Sequence, residues 1–144
     1  MLDVDAKTAI VELLNDKIND IRNKDKESLL LKYADDVTTF DLVQPLQNSS
    51  INLLEQRLTE WFNSYKSDIN QEMKELEIYA GEDVAFSFYL LRTYGTSVKG
   101  EKQDMWYRVT TGFKKENDEW KIVHEHFSEP IDMKTGKAIF DLKP

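Results

Sequence analysis

The chain has 144 residues, of which 40% are hydrophobic and 11% are aromatic, and this suffices for one domain with its own core. Its 19 basic and 27 acidic residues give a formal charge of −8, which argues against nucleic acid and anionic membranes as partners. Because cysteine is absent, disulfides, thiolate catalysis and cysteine-based metal sites are excluded. No long apolar run opens the chain, so we expect a soluble, cytoplasmic protein forming a single domain over residues 1–144.

The first part of the chain has helical periodicity. Between residues 5 and 23, apolar side chains recur at three- and four-residue spacing, which predicts an amphipathic helix. Asp25 can cap a second, short helix that ends at a predicted turn over residues 35–36. The stretch 37–43 is rich in branched and aromatic residues and predicts a strand.

A third helix and then a run of strands complete the chain. Ser49 or Ser50 can cap this helix, which carries a long apolar stripe. From residue 69 the period changes to two, which predicts four hairpin-linked strands, at residues 71–80, 84–95, 105–115 and 120–128. The element order predicts an α+β fold with a curved antiparallel sheet wrapped around three N-terminal helices. The tail, residues 131–144, is expected to cover or extend the sheet.

The last two strands carry the most informative side chains. Alternation places one set of residues of the final strand on a single face: Trp120, Ile122, His124, His126 and Ser128. The opposite face of the pair is predicted to form an exposed apolar patch, made of Tyr107, Val109, Phe113, Val123 and Phe127. A patch of that size is unusual on a monomer, so we predict a homodimer through the outer sheet face.

Three stretches carry a family resemblance: YADDVTTFD at residues 33–41, MWYRVTTGFKK at 105–115 and WKIVHEHFSEP at 120–130. By these motifs the chain resembles the nuclear transport factor two-like superfamily, and within it the SnoaL-like and ketosteroid-isomerase-like proteins. The resemblance runs from the first helix to about residue 130. It implies a cone-shaped α+β barrel with an apolar pocket, and homodimers formed through the outer sheet face.

The resemblance also implies one catalytic residue. Asp41 matches the aspartate that moves the substrate proton in ketosteroid isomerases. The tyrosine of that family's oxyanion hole falls near Lys17, and its protonated aspartate falls near Thr110. Neither residue can play the same part, and in ketosteroid isomerases these two donors together stabilise the enolate. We therefore do not expect ketosteroid isomerisation itself.

Asp41, Arg108 and His126 are the predicted catalytic groups, and we expect them to converge in the pocket. Two interpretations of Arg108 stay open, since it can orient a carboxylate or enolate, or simply pair with Asp41. Five further residues are predicted to line the pocket: Trp61, Tyr89, Trp106, His124 and Ser128. The two histidines alone do not make a metal site, because Glu125 is expected to face away from them. No cofactor is expected.

The functional hypothesis is a protein that holds a small, largely apolar organic ligand in the cone. The chemistry would be proton transfer beside a carbonyl, of the isomerase, cyclase or dehydratase type. The alternative is a non-catalytic ligand-binding or dimeric assembly module of the same fold, because fold alone does not fix function.

Overall fold

The computed structural model describes residues 2–144, and the side chains from residue 6 onward. These residues form three helices and five strands, in the order α1 (Leu2–Arg22), α2 (Lys26–Leu30), β1 (Tyr33–Phe40), α3 (Ile51–Asn63), β2 (Asn70–Ala80), β3 (Val84–Thr96), β4 (Lys102–Glu116) and β5 (Glu119–Ser128). The predicted α+β class and the four consecutive hairpin-linked strands are confirmed.

Two of the predicted helix caps are present. The Asp25 carboxylate accepts a hydrogen bond from the Ser28 amide at 3.1 Å, and the Ser50 hydroxyl accepts one from the Leu53 amide at 3.2 Å. Each cap satisfies a backbone donor that the first helical turn leaves unpaired. The local sequence therefore determines where α2 and α3 begin.

The predicted turn at residues 35–36 is wrong, because these residues lie inside β1. This strand joins the edge of the sheet parallel to β5, and the sheet order is β1-β5-β4-β3-β2. Tyr33 pairs with Ile122 in the sheet register, and the Ile122 amide donates to the Lys32 carbonyl at 2.8 Å. These long-range contacts extend the strand back to Tyr33, and local sequence propensity cannot register them.

The helices pack on the concave face of the sheet. Along β4 the buried side chains alternate with exposed ones, and the buried set is Tyr107, Val109, Thr111 and Phe113. The core between helices and sheet includes Ile10, Leu14, Leu58, Tyr89, Leu91 and Ile122. Since α1 and α3 cover only part of this concave face, space is left between them and the strands.

The prediction of which residues form the exposed dimer patch is wrong. Tyr107, Val109 and Phe113 are each at most 6% exposed and belong to the core beneath the helices. Phe127 is half-buried on the same concave side. The side chains of β4 alternate between the two faces of the sheet as predicted. The apolar ones face the helices, however, because they fill the interior.

A β-bulge in β5 changes which residues share a face. Gly112 pairs with His124 and Phe113 pairs with Ile122, so Val123 has no partner in the register. One extra residue shifts the alternation by one step. As a result Ile122 and Glu125, three positions apart, are both buried, whereas His124 and His126 face the convex side.

Candidate ligand-binding cavity

The space between helices and sheet is an open cavity of about 360 Å³. It is bounded by α1, α3, the concave side of the strands and Phe140 from the C-terminal tail. Most of its wall is apolar, with Ile21, Leu54, Leu58, Trp61, Met105 and Phe127 among the lining residues. This is the concave, mostly apolar type of site in which proteins hold small organic molecules.

A buried ion pair lies at the polar end of the cavity. Lys17 Nζ, from α1, is 2.7 Å from Glu125 Oε2, from β5, and the two side chains are 6% and 2% exposed. The Tyr33 hydroxyl donates to the other carboxylate oxygen, Oε1, at 2.8 Å. All three residues line the cavity. Charges this deeply buried are retained only when paired and hydrogen-bonded, and both conditions are met here.

The environment keeps Lys17 charged. Burial lowers the pKa of a lysine, but the charge of the Glu125 carboxylate and its hydrogen bond with Lys17 oppose this shift, and the pKa of Lys17 lies well above its usual value. Burial, together with the Glu125 charge, raises the pKa of Tyr33 well above its usual value. At neutral pH the cavity therefore contains an ammonium group and a neutral phenol. An ammonium in this state is a hydrogen-bond donor and not a nucleophile.

Sequence reasoning misses this centre. Simple alternation predicts that Glu125 faces away from the site, and the bulge at Val123 turns it inward. In the family resemblance, Lys17 stands only as a residue unable to replace a tyrosine. One signal is present in the sequence: a lysine on the same helical stripe as Ile10, Leu14 and Ile21 needs a buried partner.

Hydroxyl and amide groups form a second polar strip on the sheet wall. Gln71 Nε2 donates to Thr93 Oγ1 at 3.1 Å, and Thr93 Oγ1 lies 2.6 Å from the Tyr107 hydroxyl. These side chains come from β2, β3 and β4 and all line the cavity. Burial raises the pKa of Tyr107, although its hydrogen bond with Thr93 opposes the shift. The phenol is therefore neutral over the physiological range.

Asp41 lines the cavity, but its partner is not the one expected. Arg57 Nε, from α3, donates to Asp41 Oδ2 at 2.9 Å, and the Leu42 amide donates to Oδ1 at 2.6 Å. The Asp41 and Arg57 side chains are 18% and 24% exposed. The alternative in which Arg108 pairs with Asp41 is thus wrong, because α3 supplies the nearer guanidinium.

We expect Asp41→Asn to lower the free energy of unfolding by only about 1 kcal/mol, because the pair with Arg57 is partly solvated and the amide still accepts hydrogen bonds. Urea titration followed by tryptophan fluorescence measures this. Arg57→Met, which removes the other partner, is expected to cost a similar amount. A loss of about 3 kcal/mol or more for Asp41→Asn would mean that the ion pair is effectively buried.

Arg108 and His126 do not converge with Asp41. Both are exposed on the convex face of the sheet, where Arg108 Nε donates to the Ser128 hydroxyl at 3.0 Å. His124 lies on the same face, with Nδ1 2.7 Å from the Thr38 carbonyl oxygen, and Trp106 also faces this side. The predicted common site is therefore wrong for these residues, because the bulge and the strand parity turn them away from the helices.

Two of the predicted lining residues lie on the concave side. Trp61, on α3, lines the cavity. Tyr89 is 5% exposed in the adjacent core, and burial raises its pKa. Within the described residues, no group of three or more His, Asp or Glu side chains is arranged to hold a metal ion.

Comparison with protein-family models decides the family. The model described as SnoaL-like domain matches residues 10–132, which include α2, α3, all five strands and most of α1. The chain belongs to the SnoaL-like domain family. No curated protein matches the SnoaL-like chain significantly.

Solved structures place this SnoaL-like protein among nuclear transport factor two-like folds. It is similar to an NTF2-like protein of unknown function from Pseudomonas putida KT2440, at 29% identity and a TM-score of 0.91, with 100% of both chains covered. It is similar in fold to a protein provisionally named scytalone dehydratase from Novosphingobium aromaticivorans (13% identity, TM-score 0.78, 89% and 86% covered). The association domain of C. elegans CaMKII also shares the fold (20% identity, TM-score 0.70, 88% and 97% covered). Among the helices that the structure describes, none is long and apolar enough to cross a membrane.

Proposed function

We propose that this SnoaL-like protein binds a small, largely apolar organic molecule in the cavity. The observation that carries the proposal is the combination of an open apolar space of about 360 Å³ with a buried ion pair at its polar end. Such a space is of the size in which proteins hold small organic molecules, and a few polar groups then fix the orientation of the ligand. A cytoplasmic location is part of the proposal, and the cysteine-free sequence is compatible with it.

Proton transfer beside a carbonyl is the reaction that the cavity supports best. The Lys17 ammonium can donate to a ligand oxygen and stabilise negative charge that develops there, since it stays protonated. Asp41 is the carboxylate on the cavity wall that the family resemblance assigns to moving a proton. Isomerisation, cyclisation and dehydration all use a carboxylate that moves a proton together with a donor that stabilises negative charge on the ligand oxygen. The fold shared with the protein provisionally named scytalone dehydratase is compatible with this class.

Filling the cavity tests ligand binding directly. We expect wild-type protein incubated with a mixed metabolite extract to retain a small molecule in native mass spectrometry. Met105→Trp should lose it, because the larger side chain occupies the cavity that Met105 lines. Thr110→Trp is the matched control, since Thr110 lies on the exposed convex face of the same strand.

Two results would contradict the proposal. Retention of the same molecule by Met105→Trp would place the ligand outside the cavity. A wild-type protein that retains nothing from the extract, and that binds no apolar aromatic probe, would leave the cavity without a binding function.

A dimeric assembly role is the second candidate, favoured by the convex face of the sheet. Four large apolar residues there form what we term the convex patch: Tyr79, Val84, Phe86 and Phe88 are 55%, 64%, 47% and 42% exposed. Tyr79 stacks on Phe86 with ring centroids 5.2 Å apart. We propose that this patch, in place of the residues predicted from sequence, forms a homodimer interface. The shared fold with an association domain supports an assembly role.

A further inference from the structure

A chain of three hydrogen-bonding side chains crosses the wall of the cavity, separate from the Lys17 ion pair. The Gln71 amide donates to the Thr93 hydroxyl, which in turn shares a hydrogen bond with the Tyr107 hydroxyl. Thr93 is 1% exposed and Tyr107 is 6% exposed. Which hydroxyl donates in each of these hydrogen bonds decides whether the cavity offers a ligand a hydrogen-bond donor.

The Thr93 hydroxyl has one proton and two acceptor lone pairs. Gln71 Nε2 uses one lone pair, so the remaining question is which hydroxyl donates between Thr93 and Tyr107. With the Gln71 amide nitrogen toward Thr93, as the structure places it, a donating Tyr107 would leave the Thr93 proton without an acceptor among the residues that the structure describes. An unpaired buried donor costs about 1–3 kcal/mol. The favoured arrangement has Thr93 donating to Tyr107, which leaves the Tyr107 proton for the cavity.

We infer that the Tyr107 hydroxyl is a specificity-determining donor, so that the ligand carries an acceptor oxygen, as in a ketone, ester or carboxylate. This inference rests on the proposed ligand-binding function and narrows its substrate class. Gln71 and Thr93 are positioning residues, since they act by directing the Tyr107 proton. A hydrocarbon of the same shape gains nothing at this position, whereas an acceptor oxygen satisfies a buried donor.

A matched pair of fluorescent probes tests the inference. One is a dimethylaminonaphthalene carrying a propionyl ketone, and the other is the same dimethylaminonaphthalene without the ketone. We expect Tyr107→Phe to weaken binding of the ketone about 3- to 10-fold, which is the net effect of one hydrogen bond. Binding of the ketone-free probe should not change, because Phe keeps the shape of the wall.

Gln71→Glu reverses the direction of donation along these hydrogen bonds without changing the shape of the side chain. A carboxylate at position 71 only accepts, so Thr93 would donate to it and Tyr107 would donate to Thr93. The cavity then loses its donor, and the ketone should bind as weakly as it does to Tyr107→Phe. Thr93→Ser keeps the hydroxyl and should bind the ketone like the wild type. A purely structural role for these residues would weaken both probes equally.

The outcomes separate the two proposals. Wild-type protein that binds neither probe overturns ligand binding in the cavity, and this inference with it. Binding of both probes, with the preference for the ketone unchanged in Tyr107→Phe and Gln71→Glu, overturns this inference alone. The expected result is a preference for the ketone that falls in these two variants and persists in Thr93→Ser.

Discussion

Replacing Lys17 with methionine is expected to lower the free energy of unfolding by about 3–5 kcal/mol at neutral pH, because Glu125 is left as an uncompensated buried charge. Glu125 is 2% exposed, and its carboxylate would keep only the Tyr33 hydrogen bond. Equilibrium urea unfolding at pH 7, followed by tryptophan fluorescence, measures the loss. This is the largest stability effect that we expect from a single substitution in the cavity.

A second variant separates lost charge pairing from lost packing. Combining Lys17→Met with Glu125→Gln removes both charges and keeps both shapes, and it should restore most of the stability. Lys114→Met provides a surface control, since its ion pairs with Asp36 and Glu116 are exposed, and it should leave the unfolding midpoint nearly unchanged. If Lys17→Met costs less than about 1 kcal/mol, water in the cavity solvates Glu125 and the ion pair has no structural role.

Phe88→Lys is expected to convert the proposed homodimer into a monomer. Phe88 lies within the convex patch beside Tyr79, and a two-fold interface there would bury two unpaired ammonium groups. Light scattering at micromolar concentration should report twice the chain mass of 16.9 kDa for the wild type and 16.9 kDa for the variant. Circular dichroism checks that the fold is retained.

Gln56→Lys is the matched control for this substitution. It adds the same charge at an exposed position on α3, on the other side of the sheet from the convex patch, and it should remain dimeric. A wild-type protein that is itself monomeric at these concentrations would contradict the interface. A dimer that survives Phe88→Lys would place the interface elsewhere.

Local sequence determined the elements that depend on local interactions. The caps of α2 and α3, the apolar stripe of α1 and the alternation along β3 and β4 are all present, because each reflects a spacing that one element can satisfy by itself. The family resemblance then supplied the arrangement of these elements. The local sequence pattern and the family resemblance also predicted that Asp41 and Trp61 line the cavity, as they do.

Tertiary structure decided which face each side chain of the last hairpin occupies. The bulge at Val123 is a property of the pairing between β4 and β5, and it reverses the alternation for the residues after it. Glu125 therefore turns inward to meet Lys17 and Tyr33, the latter 92 residues away in the chain, while His126 faces outward. Arg108 faces outward because the regular alternation of β4 directs its apolar neighbours into the core. The sequence alone determined the fold class and the residues at which α2 and α3 begin, since these follow from periodicity and capping. The polar centre of the cavity required the folded chain, because a one-residue shift in register exchanges the two faces of a strand.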